Sequence, residues 1–165
     1  MKLEPNGNPD LNGRTVEFKA LNEKERRERI MATLLDSFQK VVDQFNACSK
    51  PGEYRAKLTV LFDPNIIINK VDDLTPPPTS FATRAVVIDY LEREQTTKLP
   101  RFHPASTEET ASGPGTTAAQ VSGLAVYIDK SADLQGSRVR YFFYFTRLDD
   151  NSPWLLTNAS TANVA

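Results

Sequence analysis

Five consecutive aromatic residues, Tyr141 to Phe145, lie in the stretch "VRYFFYFTRL" and constrain the fold more than any other part of the chain. Successive side chains of a β-strand point to opposite faces of the sheet. The odd-numbered residues of this run therefore share one face with Val139, and Phe142 and Tyr144 lie on the other. Because both faces carry aromatic rings, neither is typical of a surface that meets only water. The sequence predicts that each face of this strand packs against another surface.

Composition and charge set broad limits on the class of protein. The chain has 165 residues, which fits one domain, and its hydrophobic and charged fractions of 39% and 25% are typical of a folded, soluble domain. Twenty basic and 21 acidic residues give a net charge of -1, so we expect neither nucleic acid nor an anionic membrane as partner. The chain has no apolar run of about 18 residues, the length of a membrane span. Without a secretory signal and with one cysteine, Cys48, we expect a cytoplasmic protein.

The sequence pattern of the first 48 residues predicts an N-terminal arm followed by a helix. Residues 1–21 are polar and rich in turn formers, which predicts a flexible N-terminal arm before a single domain over 22–165. From Asn22 to Cys48, apolar residues recur every three or four positions, which predicts an amphipathic helix. Asn22 is the predicted N-cap, with Glu25 as capping-box partner. Glutamates alternate with the basic residues of the first turns, which favours a solvated helix face over a nucleic-acid patch.

Alternating helical and extended patterns follow. A short helical or extended piece leads into a predicted strand over 66–71, and three prolines predict a loop over 73–80. A second helix is predicted at about 82–95, with Ser80 or Thr83 as its cap. A short strand over 99–103 precedes a polar loop.

The end of the chain predicts an antiparallel sheet. Short polar connections separate three predicted strands, which therefore form a meander: 118–130, 137–148 and 153–161. The order of helix, strand, helix and then a run of strands predicts an α+β fold, with helices on one face of a curved sheet.

This order, together with several motifs, resembles the nuclear transport factor 2-like superfamily, which includes SnoaL-like polyketide cyclases, ketosteroid isomerase and scytalone dehydratase. The matching pieces are "LFDPNIIIN", "RAVVIDYLE", "VRYFFYFTR" and "SPWLLTNAS", with Trp154 at the position of the family's tryptophan. The resemblance covers residues 25–161 and depends on the order of the motifs. It implies a cystatin-like α+β cone, in which a curved antiparallel sheet wraps around helices and encloses an apolar pocket.

The resemblance also implies site residues. Val139 and the odd-numbered aromatic residues are assigned to the inside of the cone. The implied ligand-binding pocket contains Tyr54, Phe62, Tyr141, Phe143, Trp154 and Asn158. Members of the family often dimerise through the outer sheet face, so Phe142 and Tyr144 are assigned to a homodimer interface. The alternative is that a loop or the N-terminal arm covers that face.

The evidence for catalytic residues is sparse. Enzymes of this family place an acid where this chain has Asn69 or Lys70, which leaves Asp72 as the nearest carboxylate. His103, the only histidine, is the best single acid–base candidate, because only histidine titrates near neutrality without help. Asn158 stands where many members have a histidine, and asparagine can orient a ligand but cannot act as a base.

Neither a cofactor nor a metal is expected. Cys48 has no evident activating base and is interpreted as structural. The scattered carboxylates, one histidine and one cysteine show no metal-ligand spacing, and no glycine-rich phosphate loop is present.

Three hypotheses follow. The first is a dimeric module that binds a small hydrophobic ligand or a partner without catalysis. The second is an isomerase, dehydratase or cyclase acting on a hydrophobic substrate through His103 or Asp72, with a tyrosine. The third, a transport or scaffold adaptor, rests on fold analogy alone. The first two are distinguished by whether an ionisable side chain points into the cone.

Overall fold

The computed structural model describes residues 22–71, 79–112, 117–129 and 133–164. The predicted N-terminal arm and Asp72 lie outside these ranges. The helices are α1 (Glu23–Ala47), α2 (Glu53–Leu58), a 3-10 turn (Thr59–Leu61) and α3 (Arg84–Lys98). The strands are β1 (Phe62–Val71), β2 (Thr79–Ala82), β3 (Arg101–Pro104), β4 (Glu108–Ser112), β5 (Ala118–Asp129), β6 (Asp133–Thr146) and β7 (Leu155–Asn163). In the described ranges, no helix has the length and apolar character needed to cross a membrane.

The strands form one curved, open sheet in the order β2-β1-β7-β6-β5-β3, with β4 also paired to β5. The predicted α+β architecture and the meander of β5, β6 and β7 are confirmed. The sheet is mixed and not wholly antiparallel, since β1 lies parallel to β7. A parallel pair needs a long crossover connection, and here the chain between β1 and β7 provides it.

Helix α1 lies against the inner face of the sheet, as its apolar pattern predicts. Asn22 caps it, because its side-chain oxygen accepts a hydrogen bond of 2.8 Å from the backbone N–H of Glu25. Its buried residues are Leu34, Phe38, Val41 and Val42. The ring of Phe38 stacks on Tyr141 of β6 at 5.6 Å between centroids.

Strand β6 has the two aromatic faces that its alternation predicts. On the inner face, Tyr141 and Phe145 are fully buried and Phe143 is 8% exposed. On the outer face, Phe142 is 41% exposed and Tyr144 is 37% exposed. The inside and outside assignment of these residues is therefore confirmed.

Two short strands fall where the sequence predicts loops. Strand β2 overlaps the end of the predicted loop over 73–80, and β4 lies within the polar segment before β5. Both pair along one edge only, β2 with β1 and β4 with β5. Their own residues are mostly small or polar, so the partner strand supplies the backbone hydrogen bonds that hold them extended, and local propensity carries little signal.

Helix α3 holds α2 in place through its acidic side chains. The carboxylate of Glu92 accepts hydrogen bonds from the backbone N–H groups of Gly52 and Arg55, at 2.7 and 3.0 Å. These N–H groups lie at the start of α2, where no intrahelical partner exists. Thr83 caps α3 as predicted. Val87, Ile88 and Leu91 form the buried side of this helix, whereas Val86 is 46% exposed.

Strands β3 and β4 pair with the same edge of β5, and the segment between them lies against Gly123. The backbone N–H groups of Ala105 and Ser106 donate to the carbonyl of Leu124, at 2.7 and 3.2 Å. A Cβ atom on Gly123 would overlap the carbonyl oxygen of Ser106. Glycine is therefore required here by the close approach of two backbones.

Replacing Gly123 with alanine is expected to lower the free energy of unfolding by about 1–3 kcal/mol, because the segment around Ser106 must move to admit the methyl group. Urea unfolding followed by circular dichroism measures this change. Ser122→Ala places the same residue at the neighbouring position of β5, which lacks this close approach, and serves as the control. Equal stability of the two variants would contradict the assignment.

Candidate functional site

A cavity of about 300 Å³ lies between the helices and the inner face of the sheet. Most of its wall is apolar: α1 contributes Val41, Val42 and Phe45, and the sheet contributes Phe62, Ile68, Phe102, Val139, Phe143, Leu156 and Ala159. The rings of Phe102 and Phe143 stack at 5.4 Å with an angle of 18° between their planes. The wall therefore offers flat aromatic and branched aliphatic surfaces to whatever enters.

The polar side chains of the cavity are all uncharged. Strands β5, β6 and β7 contribute Tyr127, Ser137, Thr161 and Asn163, and α3 contributes Tyr90. Among the described lining residues, none carries a carboxylate, an imidazole, a thiol, an ammonium or a guanidinium group. General acid–base catalysis uses one of the first three groups, a lysine or a tyrosine, and among the described lining residues only Tyr90 and Tyr127 are of these types.

The six predicted pocket residues divide into three groups: two line the cavity, three lie in the core around it, and Asn158 lies on the outer face. Phe62 and Phe143 line the cavity. Tyr54, Tyr141 and Trp154 are buried in the core around it and are absent from its wall. These three rings support the site without facing the space inside it.

Trp154 is held away from the cavity by polar partners. Its indole N–H donates to the hydroxyl of Thr33 on α1 at 3.2 Å. The guanidinium of Arg147 lies 4.2 Å from the centre of the Trp154 ring, a cation–π distance. These contacts tie the turn between β6 and β7 to α1.

Asn158 lies on the outer face of the sheet, on the opposite side from the cavity. A register shift interrupts the pairing of β6 and β7, which aligns Phe145 with Leu156 but Tyr144 with Asn158, so Thr157 is an extra residue. A bulge of this kind reverses the alternation of side chains beyond it. Leu156 and Ala159 both line the cavity as a result, and Asn158 accepts a hydrogen bond from Ser160 at 3.1 Å on the other face.

Of the two predicted acid–base residues, only His103 is described, and it lies away from the cavity. It follows Phe102, which lines the cavity, and pairs with Val126 on β5. Neighbouring strand residues point to opposite faces, so the exposed His103 side chain belongs to the outer face. Asp72 lies outside the described residues.

Cys48 is buried beside the helices. Its thiol donates to the carbonyl of Gln44 at 3.2 Å, and burial raises its pKa to about 11. A thiol with this pKa stays protonated at neutral pH and is a poor nucleophile or metal ligand. Across the described ranges, no group of three histidine, cysteine or acidic side chains is placed to hold a metal ion.

The sequence missed most of the polar lining of the cavity. Ser137 was accessible to the alternation argument, since it precedes Val139 by two positions on β6 and therefore shares its face. The alternation argument could not identify Thr161 and Asn163, because the bulge at Thr157 decides which face of β7 they occupy. Tyr90 stacks on Phe81 of β2 at 4.0 Å, a contact with a strand that the sequence did not predict.

The outer face carries an aromatic stripe between small polar residues. Phe142 lies between Ser122 and Ser160, and Tyr144 lies between Gln120 and Asn158. Ile67 on β1, beside Asn158, is also 37% exposed. The two rings therefore stand above a flatter polar surface.

Several solved structures have a fold similar to that of this chain. A protein with a cystatin-like fold from Caulobacter vibrioides is 11% identical, with 82% of this chain and 89% of that chain covered and a TM-score of 0.60. A candidate dehydratase of the nuclear transport factor 2-like family from Streptomyces avermitilis is 13% identical, with coverage of 81% and 95% and a TM-score of 0.61.

A third structure is a candidate calcium/calmodulin-dependent protein kinase II association domain from Xanthomonas campestris. It is 17% identical, with 87% of this chain and 89% of that chain covered and a TM-score of 0.54. No family model matches the sequence, and no curated protein matches it. Identities this low establish the fold alone.

Two buried tyrosines differ in how their hydroxyls are satisfied. The hydroxyl of Tyr141 donates to the carbonyl of Ser106 at 2.7 Å. The hydroxyl of Tyr54 is buried and has no hydrogen-bond partner within the described residues, and burial raises its pKa. An unpaired buried hydroxyl costs stability, whereas a paired one contributes to it.

We therefore expect Tyr54→Phe to leave the free energy of unfolding unchanged or to raise it, and Tyr141→Phe to lower it by about 1 kcal/mol. Chemical denaturation of both variants measures the difference, and each serves as the control for the other. A loss in Tyr54→Phe as large as that in Tyr141→Phe would show that the Tyr54 hydroxyl has a partner.

Proposed function

Since the chain has the fold of the nuclear transport factor 2-like superfamily, we propose that it is a dimeric binding module that holds a small hydrophobic ligand without catalysing a reaction on it. One observation carries this proposal: the described residues lining the cavity combine an apolar wall with no charged or acid–base side chain other than tyrosine. A site of this kind gains affinity from burial of apolar surface.

The aromatic wall supports a ligand with flat apolar surfaces. Removal of apolar surface from water contributes roughly 25 cal/mol per Å², so about 200 Å² of ligand surface favours binding by roughly 5 kcal/mol before ordering costs. The stacked rings of Phe102 and Phe143, together with Phe45 of α1, supply that surface.

The alternative is an isomerase, dehydratase or cyclase that uses His103 or Asp72 as its acid–base group. The position of His103 on the outer face argues against His103 as the acid–base group, because a general base must reach the proton that it removes from a substrate in the cavity. The observation that favours this alternative is that the similar structure from Streptomyces avermitilis is named a dehydratase.

Filling the cavity tests the binding proposal. Ala159 is 7% exposed and lines the cavity from β7, so Ala159→Phe places a ring in the space that the ligand would occupy. We expect the affinity for 2-naphthol, measured by fluorescence titration, to fall at least about 10-fold, the loss expected when bulk blocks a preformed apolar site.

Ala162→Phe is the matched control, because Ala162 lies on the same strand but pairs with the exposed Arg140 on the outer face. It should bind 2-naphthol like the unmodified protein. Absence of binding by the unmodified protein, or equal losses in the two variants, would overturn the proposal. Native mass spectrometry of the purified protein adds a direct search for a retained small molecule.

The proposed dimer forms through the outer face. Phe142 and Tyr144 are 41% and 37% exposed, so their rings lie at the surface and not in the core. The polar neighbours on both sides are smaller than these rings, which leaves space for a second pair of rings. In a two-fold symmetric dimer the same patch of each subunit faces its copy. The rings of one subunit can then lie against the flatter polar surface beside the rings of the other. Burial of these rings in a second copy of the chain removes their apolar surface from water.

Introducing charge at this face should separate the subunits. We expect the unmodified protein to be a dimer at micromolar concentration by light scattering, and the double variant Phe142→Glu, Tyr144→Glu to be a monomer, because buried unpaired carboxylates oppose association. Leu148→Glu is the control, since Leu148 is 87% exposed and lies in the turn after β6. A monomeric unmodified protein would contradict this part of the proposal.

A further inference from the structure

The outer face of the sheet has a basic end, formed by Arg138 and Arg140 of β6 and His103 of β3. We propose that this basic end binds a short acidic segment of a partner protein, in an extended conformation with carboxylates at alternate positions. The site goes beyond the proposed function, because it lies on the opposite side of the sheet from the cavity and needs no ligand there.

The register of the sheet brings the three basic side chains onto one face. Val126 of β5 pairs with His103 on one side and with Arg138 on the other. His103 and Arg138 therefore lie in one row across the sheet, two strand spacings or about 10 Å apart. Arg140 follows two residues along β6, and Phe142 follows two residues after that. The basic end thus continues the line of the aromatic stripe.

The two arginines have no acidic partner within the described part of the chain. Both side chains are exposed, and neither forms a hydrogen bond or an ion pair with another described residue. Their cross-strand neighbours are aliphatic: Leu124 and Ala162 flank Arg140, and Val126 flanks Arg138. A carboxylate of another molecule can therefore complete this arrangement with charge-assisted hydrogen bonds to a guanidinium group.

The spacing of the arginines indicates an extended partner. A strand rises about 3.4 Å per residue, so Arg138 and Arg140 are about 7 Å apart on the same face. In an extended partner segment, side chains two positions apart also share a face and have the same spacing. Acids at alternate positions can then meet both guanidinium groups at once, and the ring N–H of His103 is available to a third carboxylate.

The partner lies across the face of the sheet, because the neighbouring edge is closed. Strand β3 is at the edge of the sheet. The side chain of Asn46 on α1 occupies both the backbone N–H and the carbonyl of Phe102 in β3, with hydrogen bonds of 2.8 Å. A strand added at this position would have to displace both hydrogen bonds, whereas a segment on the outer face displaces neither.

The distribution of charge favours a short acidic peptide over a nucleic acid. The net charge of -1 gives the chain no overall attraction for a polyanion. On the outer face, Glu108 of β4 lies in the same row as Phe142, since Ser122 pairs with both. A long polyanion that runs along this face meets the Glu108 carboxylate, whereas a short segment contacts only the basic end.

The proposed dimer is compatible with this site. Its contact uses Phe142 and Tyr144, which lie further along β6 than the basic end. A contact that laid the basic ends of two subunits on each other would bring their arginines together, and like charges placed opposite each other oppose association. The acidic segment therefore binds beside the dimer contact and not within it.

Two octapeptides of identical composition test the spacing. One repeats Asp-Thr four times, and the other repeats Asp-Asp-Thr-Thr twice, so only the first has aspartates at alternate positions. Fluorescein-labelled peptides are titrated into the full chain at pH 7 and 20 mM NaCl by fluorescence anisotropy. We expect the alternating peptide to bind at least about 3-fold more tightly, the gain of one additional exposed ion pair. Equal affinities, or no binding of the alternating peptide up to about 1 mM, would overturn the proposal.

Charge-removing variants locate the site. Arg138→Gln combined with Arg140→Gln should weaken binding of the alternating peptide about 10-fold or more, because two charge-assisted contacts are lost. Arg27→Gln combined with Arg29→Gln is the matched control, since it removes the same charge from the exposed start of α1. The control should bind within about 2-fold of the unmodified protein, and circular dichroism checks that both variants are folded. Equal losses in the two variants would show a general charge effect and would contradict the site.

A single-stranded oligothymidylate of the same charge distinguishes the two classes of partner. Tighter binding of the oligothymidylate than of the alternating peptide, lost in the variant of Arg138 and Arg140, would overturn the acidic peptide in favour of a nucleic acid. Ala159→Phe, which fills the cavity, should bind the alternating peptide like the unmodified protein. Failure of the cavity proposal and failure of this one are therefore separate results.

Discussion

The packing of α1 against the aromatic residues of the sheet is the interaction on which the rest of the structure depends. Phe38 contacts both Tyr141 and Phe143 at 5.6 Å between ring centres, and Phe102 of β3 contacts the same two rings at 5.3 and 5.4 Å. Asn46 near the end of α1 adds two hydrogen bonds of 2.8 Å to the backbone of Phe102. Helix, edge strand and central strand are thereby held as one unit.

The same cluster creates the cavity. The rings fill the space beside α1, but the small side chain of Ala159 and the aliphatic side chains of β1 and β7 leave space further along the sheet. The close backbone approach of Ser106 to Gly123 and the hydrogen bond of Tyr141 to Ser106 keep the segment before β4 close to one side of the core. Apolar surface that packing leaves uncovered inside a fold is the kind of surface that small ligands use.

Irregularities in the strands decide which residues meet that space. The extra residue at Thr157 places both Leu156 and Ala159 on the inner face, and it sends Asn158 to the outer face. A second register shift lies between Tyr127 and Asp129, opposite the start of β6 where Gly136 has a left-handed backbone with φ of 79°. Family resemblance assigned Asn158 to the pocket, and a single inserted residue was sufficient to reverse that assignment.

The sequence by itself determined α1, α3, the meander and the two faces of β6, because these follow from local periodicity: three to four residues for a helix and two for a strand. It left the segment of α2 open between a helical and an extended piece. It also determined that histidine and cysteine chemistry is scarce, since the chain has one residue of each type. Tertiary structure alone decided the parallel pairing of β1 with β7, the short strands β2 and β4, and the place of Thr161 and Asn163 in the cavity wall. These features depend on contacts between segments distant in sequence, and on bulges that change side-chain direction without leaving a periodic signal.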